Sequence, residues 1–139
     1  MMMKKIIVLV IASTFAVNVY ADNTEQSFKE TDTATSYVKC ALYADISNIY
    51  TDKSSAVAEE NAKQFRILAL KHWRKANELL GNVRNGDDEI IDFATYLSSQ
   101  ESVAWDAHPE MNNSNSGRGN QATAAYMSEN CGLLLDAAK

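Results

Sequence analysis

Proline is nearly absent from this sequence of 139 residues: Pro109 is the only one, and there are five glycines. The sequence also lacks a sustained alternation of apolar and polar residues, the pattern that predicts a half-buried strand. Apolar residues recur instead at every third and fourth position, which is typical of helices. The sequence therefore predicts an all-α protein.

Several chemical signatures are missing too. There is no C-x-x-C-H haem attachment motif, no G-x-S-x-G, no phosphate-binding loop and no H-E-x-x-H. We therefore predict no cofactor and favour a protein that is not an enzyme. A Ser–His–Asp set assembles in space rather than along the chain, so the sequence leaves that alternative open.

Long apolar runs are absent except at the N-terminus. Two lysines precede an apolar stretch, residues 6–19, and Val19 and Ala21 occupy the −3 and −1 positions of a cleavage site before Asp22. This layout predicts a cleaved secretory signal peptide at residues 1–21, and the run is short for a membrane-spanning helix, which needs about 20 apolar residues. The alternative is an uncleaved membrane anchor. No cysteine lies at the cleavage point, so we do not expect a lipid anchor.

Positive charge is scarce after cleavage. The remaining 118 residues carry 11 of the 13 lysines and arginines and all 18 acidic residues, a net charge of −7. Such a chain is poorly suited to nucleic acid or to an anionic membrane surface, because both need clustered lysine and arginine. A basic partner would suit it through electrostatic steering, although solubility is the plainer explanation of the charge.

Helical periodicity predicts a first helix at residues 33–50, after a flexible polar segment at residues 22–32. Its two apolar stripes make a wide face, so we expect it to be deeply packed. A second helix is predicted at residues 54–80, where Gly81 is placed as the C-terminal cap and Asn85-Gly86 marks a turn.

A third helix is predicted from Asp87 to Ala107, because acids favour a helix start and the residue before Pro109 disfavours helix. A polar loop follows at residues 108–120, and a fourth helix at residues 121–137. Four helices with mostly short joints predict an up-down-up-down bundle, a single domain of residues 33–139.

Only two cysteines are present, Cys40 and Cys131, and each lies on the apolar stripe of its predicted helix. An even cysteine count in an exported chain indicates a disulfide, and the C-x-x-C pattern of a redox site is missing. The bridge would close a loop of 91 residues and contribute about 4–5 kcal/mol as an upper estimate. Two free buried thiols or an intermolecular bridge are the alternatives.

The candidate functional side chains give weak signals. We interpret His72 as a hydrogen-bonded core residue rather than a ligand, and Glu101 as a partner of a lysine or arginine across the bundle. Around His72, the segment KHWRK is interpreted as a solvated basic face with its tryptophan turned inward. Asp106, His108 and Glu110 are weak metal-ligand candidates, since zinc needs three or four ligands in a workable geometry. We predict no metal site.

These observations favour a non-enzymatic binding protein of the bacterial periplasm or secreted space, for example an inhibitor or accessory factor of another envelope protein. The first candidate contact is the polar loop, because loops on rigid scaffolds often carry recognition. Its candidate residues are Asn112, Asn113, Asn115, Arg118 and Asn120. The alternatives are a bundle that binds a small ligand or metal, a stress chaperone and a small hydrolase.

Overall fold

The computed structural model describes the backbone of residues 2–50, 56–112 and 115–139, and the side chains of residues 19–50, 56–112 and 117–139. The described residues form five α-helices, one short 3₁₀ helix and no strand, so the all-α prediction is confirmed. The helices are α1 (Met2–Ile49), α2 (Glu60–Leu79), α3 (Gly86–Ala107), the 3₁₀ helix (Pro109–Asn112), α4 (Asn115–Ser128) and α5 (Cys131–Ala137).

Helix α1 is the centre of the molecule. It packs along α2 over the longest distance and also contacts α3, α4 and α5. Between residues 37 and 47, nine of its eleven side chains are buried, so α1 is covered on nearly every side. This all-round burial confirms the prediction that the first helix is deeply packed.

The hydrophobic core is built around the middle of α1. Tyr43 and Phe65 are its largest fully buried aromatic side chains, and Met111 of the 3₁₀ helix is also fully buried. Helices α4 and α5 contribute Ala122, Tyr126 and Leu135 among others. Helix α3 contributes one buried residue, Ala104, which makes it the most peripheral of the long helices.

The predicted disulfide is present. Cys40 of α1 and Cys131 of α5 are bonded with a Cα–Cα distance of 5.6 Å, and neither is more than 1% exposed. The bond joins positions 91 residues apart, and α2, α3 and α4 all lie between them in the sequence. The described part of the chain contains no free cysteine.

The predicted start of the first helix near residue 33 is wrong. Residues 22–32, expected to be a flexible polar segment, are helical and lie within α1. The buried Ser27 hydroxyl donates to the Ala76 carbonyl oxygen of α2 at 3.1 Å. Residues 22–32 contact α2 through polar side chains. The spacing of apolar residues, which predicted the helices, therefore did not indicate this part of α1. Cleavage after Ala21 stays a prediction.

The predicted polar loop at residues 108–120 is also mostly wrong. Residues 109–112 form the 3₁₀ helix, and residues 115–120 are the first turns of α4. The predicted fourth helix is divided, because Asn130 has a positive φ of 55° between α4 and α5. The left-handed backbone at this residue ends the first helix and redirects the chain into the second.

Helix α2 begins at Glu60, later than the predicted residue 54; residues 51–55 lie outside the described range. Helix α3 agrees with its predicted bounds to within one residue. Within the described ranges, no helix has an apolar stretch long enough to cross a membrane.

Candidate functional site

The connection between α2 and α3 is a tight turn whose backbone follows from its sequence. Gly81 has a φ of 71°, and its N–H donates to the Glu78 carbonyl oxygen at 3.0 Å, while the Asn82 N–H donates to that of Asn77 at 2.8 Å. This pair of bonds is a Schellman motif, which confirms the C-terminal role predicted for Gly81. Gly86, with a φ of 62°, then begins α3.

We call residues 80–92 the hairpin tip. It carries four large apolar side chains that are largely exposed: Leu80 at 43%, Val83 at 62%, Ile90 at 67% and Ile91 at 61%. Single exposed apolar residues are ordinary, but four within thirteen consecutive residues form a local concentration. The hairpin tip is therefore one of the more apolar parts of the described surface, which also exposes Val19, Tyr20 and Phe28 within ten residues of α1.

Ion pairs fix the acids on the inner side of the hairpin tip. Arg74 of α2 donates to both carboxylate oxygens of Glu89, at 2.6 and 2.9 Å, and this hydrogen bonding lowers the pKa of Glu89. Arg84 Nε lies 3.3 Å from Asp92 Oδ2. The first pair joins α2 to α3, and the second joins the turn to α3. Each has at least one largely exposed partner, so neither contributes much to stability.

Two further acids, Asp87 and Asp88, are exposed and make no ion pair within the described part of the molecule. Residues three and four apart share a helix face, so Asp87 lies beside both Ile90 and Ile91, and Asp88 lies beside Ile91. The exposed apolar pair of α3 is thus flanked by two uncompensated negative charges.

A cleft of about 310 Å³ borders the hairpin tip. Its walls are the last turns of α2, the turn itself and Glu89, and its lining includes Trp73, Asn77 and Val83. Trp73 packs on its other side against Phe93, with ring centroids 5.3 Å apart. The hairpin tip therefore combines exposed apolar side chains with an adjoining recess.

The candidate loop residues predicted from sequence are not gathered on one flexible loop. Asn112 is exposed at the end of the 3₁₀ helix, Asn115 begins α4, Asn120 is exposed on α4, and Asn113 lies outside the described residues. Their role in partner binding stays a prediction.

Arg118, the fifth of these residues, has several contacts within the molecule. Its Nε donates to the Met111 carbonyl oxygen at 2.9 Å, and its guanidinium carbon lies 4.8 Å from the Tyr50 ring centroid and 5.9 Å from that of Trp105. These cation–π contacts anchor the start of α4 to the ends of α1 and α3.

Of the three weak metal-ligand candidates, His108 and Glu110 form a hydrogen-bonded pair, and Asp106 is not part of it. His108 Nδ1 lies 2.8 Å from Glu110 Oε1, and His108 Nε2 lies 3.5 Å from Glu129 Oε1, whereas Asp106 is exposed. The pKa of Glu110 is lowered by its own backbone N–H and then by His108. The two carboxylates approach opposite edges of the imidazole, and no group of three or more potential ligands that could hold a metal ion occurs among the described residues.

His72 and Glu101 have the polar partners expected of them, but His72 lies at the edge of the core rather than in it. His72 is half-buried, its Nδ1 lies 2.5 Å from Glu30 Oε2, and its ring packs on Tyr37 with centroids 5.5 Å apart. Arg66 Nη2 lies 3.7 Å from Glu101 Oε1 and also pairs with Asp45 of α1. Arg66 therefore links α2 to both α1 and α3.

The basic segment around His72 also agrees with its interpretation. Lys71, Arg74 and Lys75 are exposed, while Trp73 turns inward to an aromatic cluster with Phe93 and Tyr96.

The hairpin tip is not among the surfaces predicted from the sequence. Leu80 and Ile90 continue the apolar stripes of their predicted helices, and such a stripe predicts burial. Periodicity shows which side chains share a face, but it does not show where the neighbouring helices end. The adjacent pair Ile90-Ile91 is the available signal, because adjacent residues point about 100° apart on a helix and both are buried only where the helix is covered over a wide face.

Comparison with known proteins gives no relative from which a function could be transferred: no protein-family model, curated protein or solved structure matches this chain.

Proposed function

We propose that this chain is an exported, non-enzymatic protein that binds another protein of the bacterial periplasm or secreted space, for example as an inhibitor or accessory factor. The hairpin tip is its binding surface. The observation that carries the proposal is the set of four exposed apolar side chains on residues 80–92. Concentrations of exposed apolar side chains rimmed by polar residues are typical of protein interaction sites.

Export is supported by two features. The sequence begins with the layout of a signal peptide, and the bond between Cys40 and Cys131 is of a kind that persists in oxidising compartments. Cleavage after Ala21 would leave residues 22–139, which include every described core residue and the complete hairpin tip.

We further infer that the helices alternate in direction, with α4 and α5 sharing the fourth position of an up-down-up-down bundle. Two contacts support opposite directions for α1 and the α4–α5 pair. Ser47 Oγ lies 2.5 Å from Thr123 Oγ1, and Cys40 is bonded to Cys131. The contacted residue number therefore decreases along α1 while it increases along α4 and α5, as in antiparallel helices. In this arrangement α5 ends well before the hairpin tip, which accounts for its exposure.

Crosslinked affinity capture from the native envelope tests the proposal. C-terminally tagged wild-type protein is compared with Ile90→Ser/Ile91→Ser and with a matched control, Met127→Ser/Leu133→Ser, whose parent side chains are 55% and 70% exposed on α4 and α5. We expect a dominant partner to be captured by the wild type and the control, and to be reduced at least about tenfold by the tip variant. The mass of the recovered wild-type protein reports whether residues 1–21 were removed.

A third variant, Asn112→Ala/Asn120→Ala, tests the surface first predicted from sequence. Loss of the partner in this variant, with retention in the tip variant, would move the binding surface to the start of α4. A tip variant that captures the partner as well as the wild type does would contradict the proposed surface.

A further inference from the structure

We infer that the hairpin tip binds a protein segment in which large apolar side chains are flanked by lysine or arginine. This inference rests on the proposed function, because it specifies the chemistry of the partner at the same surface.

The hairpin tip is acidic. Residues 80–92 contain four acids and one arginine, a net charge of −3, within a chain whose residues 22–139 carry −7. Glu89 and Asp92 are neutralised by Arg74 and Arg84. The two remaining charges, on Asp87 and Asp88, have no cation beside them in the described part of the chain. A bound partner can therefore supply the compensating positive charge.

Asp87 and Asp88 lie in the first turn of α3. Acids in the first turn of a helix interact favourably with its dipole, which is a sufficient reason for Asp87 and Asp88 in isolation. That reason does not explain why Ile90 and Ile91, on the adjoining helix face, are both more than 60% exposed. Together the four side chains form a surface with an apolar centre and an acidic edge.

Such a surface favours a partner whose apolar side chains are bordered by positive charge. Burial of the two isoleucines would supply most of the affinity, whereas the acids would accelerate association and select against acidic partners. A segment with apolar side chains and acidic flanks would place like charges opposite Asp87 and Asp88, which is unfavourable.

Fluorescence anisotropy with defined peptides tests the inference on the purified protein, residues 22–139. The probe is a labelled amphipathic helical peptide of leucine and lysine, compared with a leucine–glutamate peptide and with a serine–lysine peptide of the same positive charge. We expect binding of the first peptide only. Ile90→Ser/Ile91→Ser should weaken it by at least about tenfold.

Two variants with the same net charge distinguish an effect of the acids at the hairpin tip from an effect of the protein's net charge. Asp87→Asn/Asp88→Asn removes the acids at the tip, whereas Glu59→Gln/Glu60→Gln removes two exposed acids at the opposite end of α2, about 30 Å away along that helix. We expect the first to weaken binding roughly three- to tenfold at low salt and the second to change it less than about twofold. Circular dichroism and thermal melting verify that each variant is folded.

Equal losses in the two charge variants would overturn the inference, because binding would then follow net charge alone. Equal binding of the serine–lysine peptide would overturn it as well. A change in the sedimentation of the protein alone on substitution of the tip would assign the surface to a second copy of the chain, and the inference would fail. Loss of envelope capture in the tip variant without peptide binding would retain the proposed function and reject only this partner chemistry.

Discussion

Tyr43 is the residue whose environment conflicts most with its chemistry. It is fully buried, and its hydroxyl has no hydrogen-bond partner within the described structure. The rings of Tyr43 and His108 pack nearly perpendicular to each other, with centroids 5.2 Å apart. Burial, and then the charges of Glu129 and Glu110, raise the pKa of Tyr43 to about 12. The aromatic ring of Tyr43 packs in the core, whereas its hydroxyl makes no hydrogen bond that would stabilise the fold.

We therefore predict that Tyr43→Phe is as stable as the wild type or more stable at neutral pH, because it removes an unsatisfied buried polar group and leaves the ring. The pKa of tyrosine is about 10 in an unfolded chain, so a value of about 12 in the folded state opposes ionisation. This contribution to the free energy of unfolding is complete below about pH 10 and is lost as the pH rises through about 12.

Urea unfolding at a series of alkaline pH values measures this difference. Between about pH 9 and pH 11 the wild type should lose about 1–2 kcal/mol more stability than Tyr43→Phe does. Burial also raises the pKa values of Tyr96 and Tyr126, so both proteins share the remaining alkaline loss. Parallel curves for the two proteins would contradict a pKa of Tyr43 that is higher in the folded state than in the unfolded chain.

At the scale of whole elements, the sequence predicted α2 and α3 better than the two ends of the bundle. Both helices have a clear apolar period, and Gly81 and Asn85-Gly86 mark the turn between them. The start of α4 was missed because asparagine, serine and glycine favour loops in isolation. Contacts outweigh that preference: Thr123 meets Ser47 of α1, and Arg118 stacks on Tyr50.

The candidate site was predicted less well than the fold. Which helix face carries apolar residues can be derived from their spacing, but whether another helix covers that face depends on where the bundle ends. Ile90 belongs to the same stripe as Leu97, which packs against the core seven residues later, yet Ile90 is 67% exposed. The difference between them is tertiary, so the sequence alone did not separate a core residue from a surface one.

The N-terminal extension of α1 allows a direct test of one corrected element. We predict that a chain beginning at Thr33 is less stable than one beginning at Asp22 by at least about 2 kcal/mol. The shorter chain loses the buried hydrogen bond from Ser27 to Ala76 and the pair between Glu30 and His72. Urea unfolding at neutral pH compares the two chains.

A point substitution controls for nonspecific effects of the new terminus. Ser27→Ala in the chain beginning at Asp22 should cost about 1 kcal/mol, since it leaves the Ala76 carbonyl without this donor. Equal stability of the two chains would show that residues 22–32 do not support the bundle.

At the scale of the whole molecule, one central helix organises the fold. The other helices pack around α1, and the bond from Cys40 to Cys131 connects this helix to the last one. A crosslink that closes so long a segment removes many open conformations from the unfolded chain, although engineered bonds often give less than this argument predicts. The disulfide therefore restricts how α2, α3 and α4 can separate from α1 when the chain unfolds.

We predict that Cys40→Ala/Cys131→Ala lowers the free energy of unfolding by about 2–5 kcal/mol relative to the oxidised protein. A loss of this size is a large share of the roughly 5–15 kcal/mol by which a domain is normally stable, so the variant should melt at a clearly lower temperature. Wild-type protein that is unfolded, reduced and refolded with the thiols kept reduced is the control, and its urea midpoint should approach that of the variant. A loss below about 1 kcal/mol, with both midpoints near that of the oxidised protein, would show that packing around α1 alone sets the stability and that the bond is dispensable for the fold.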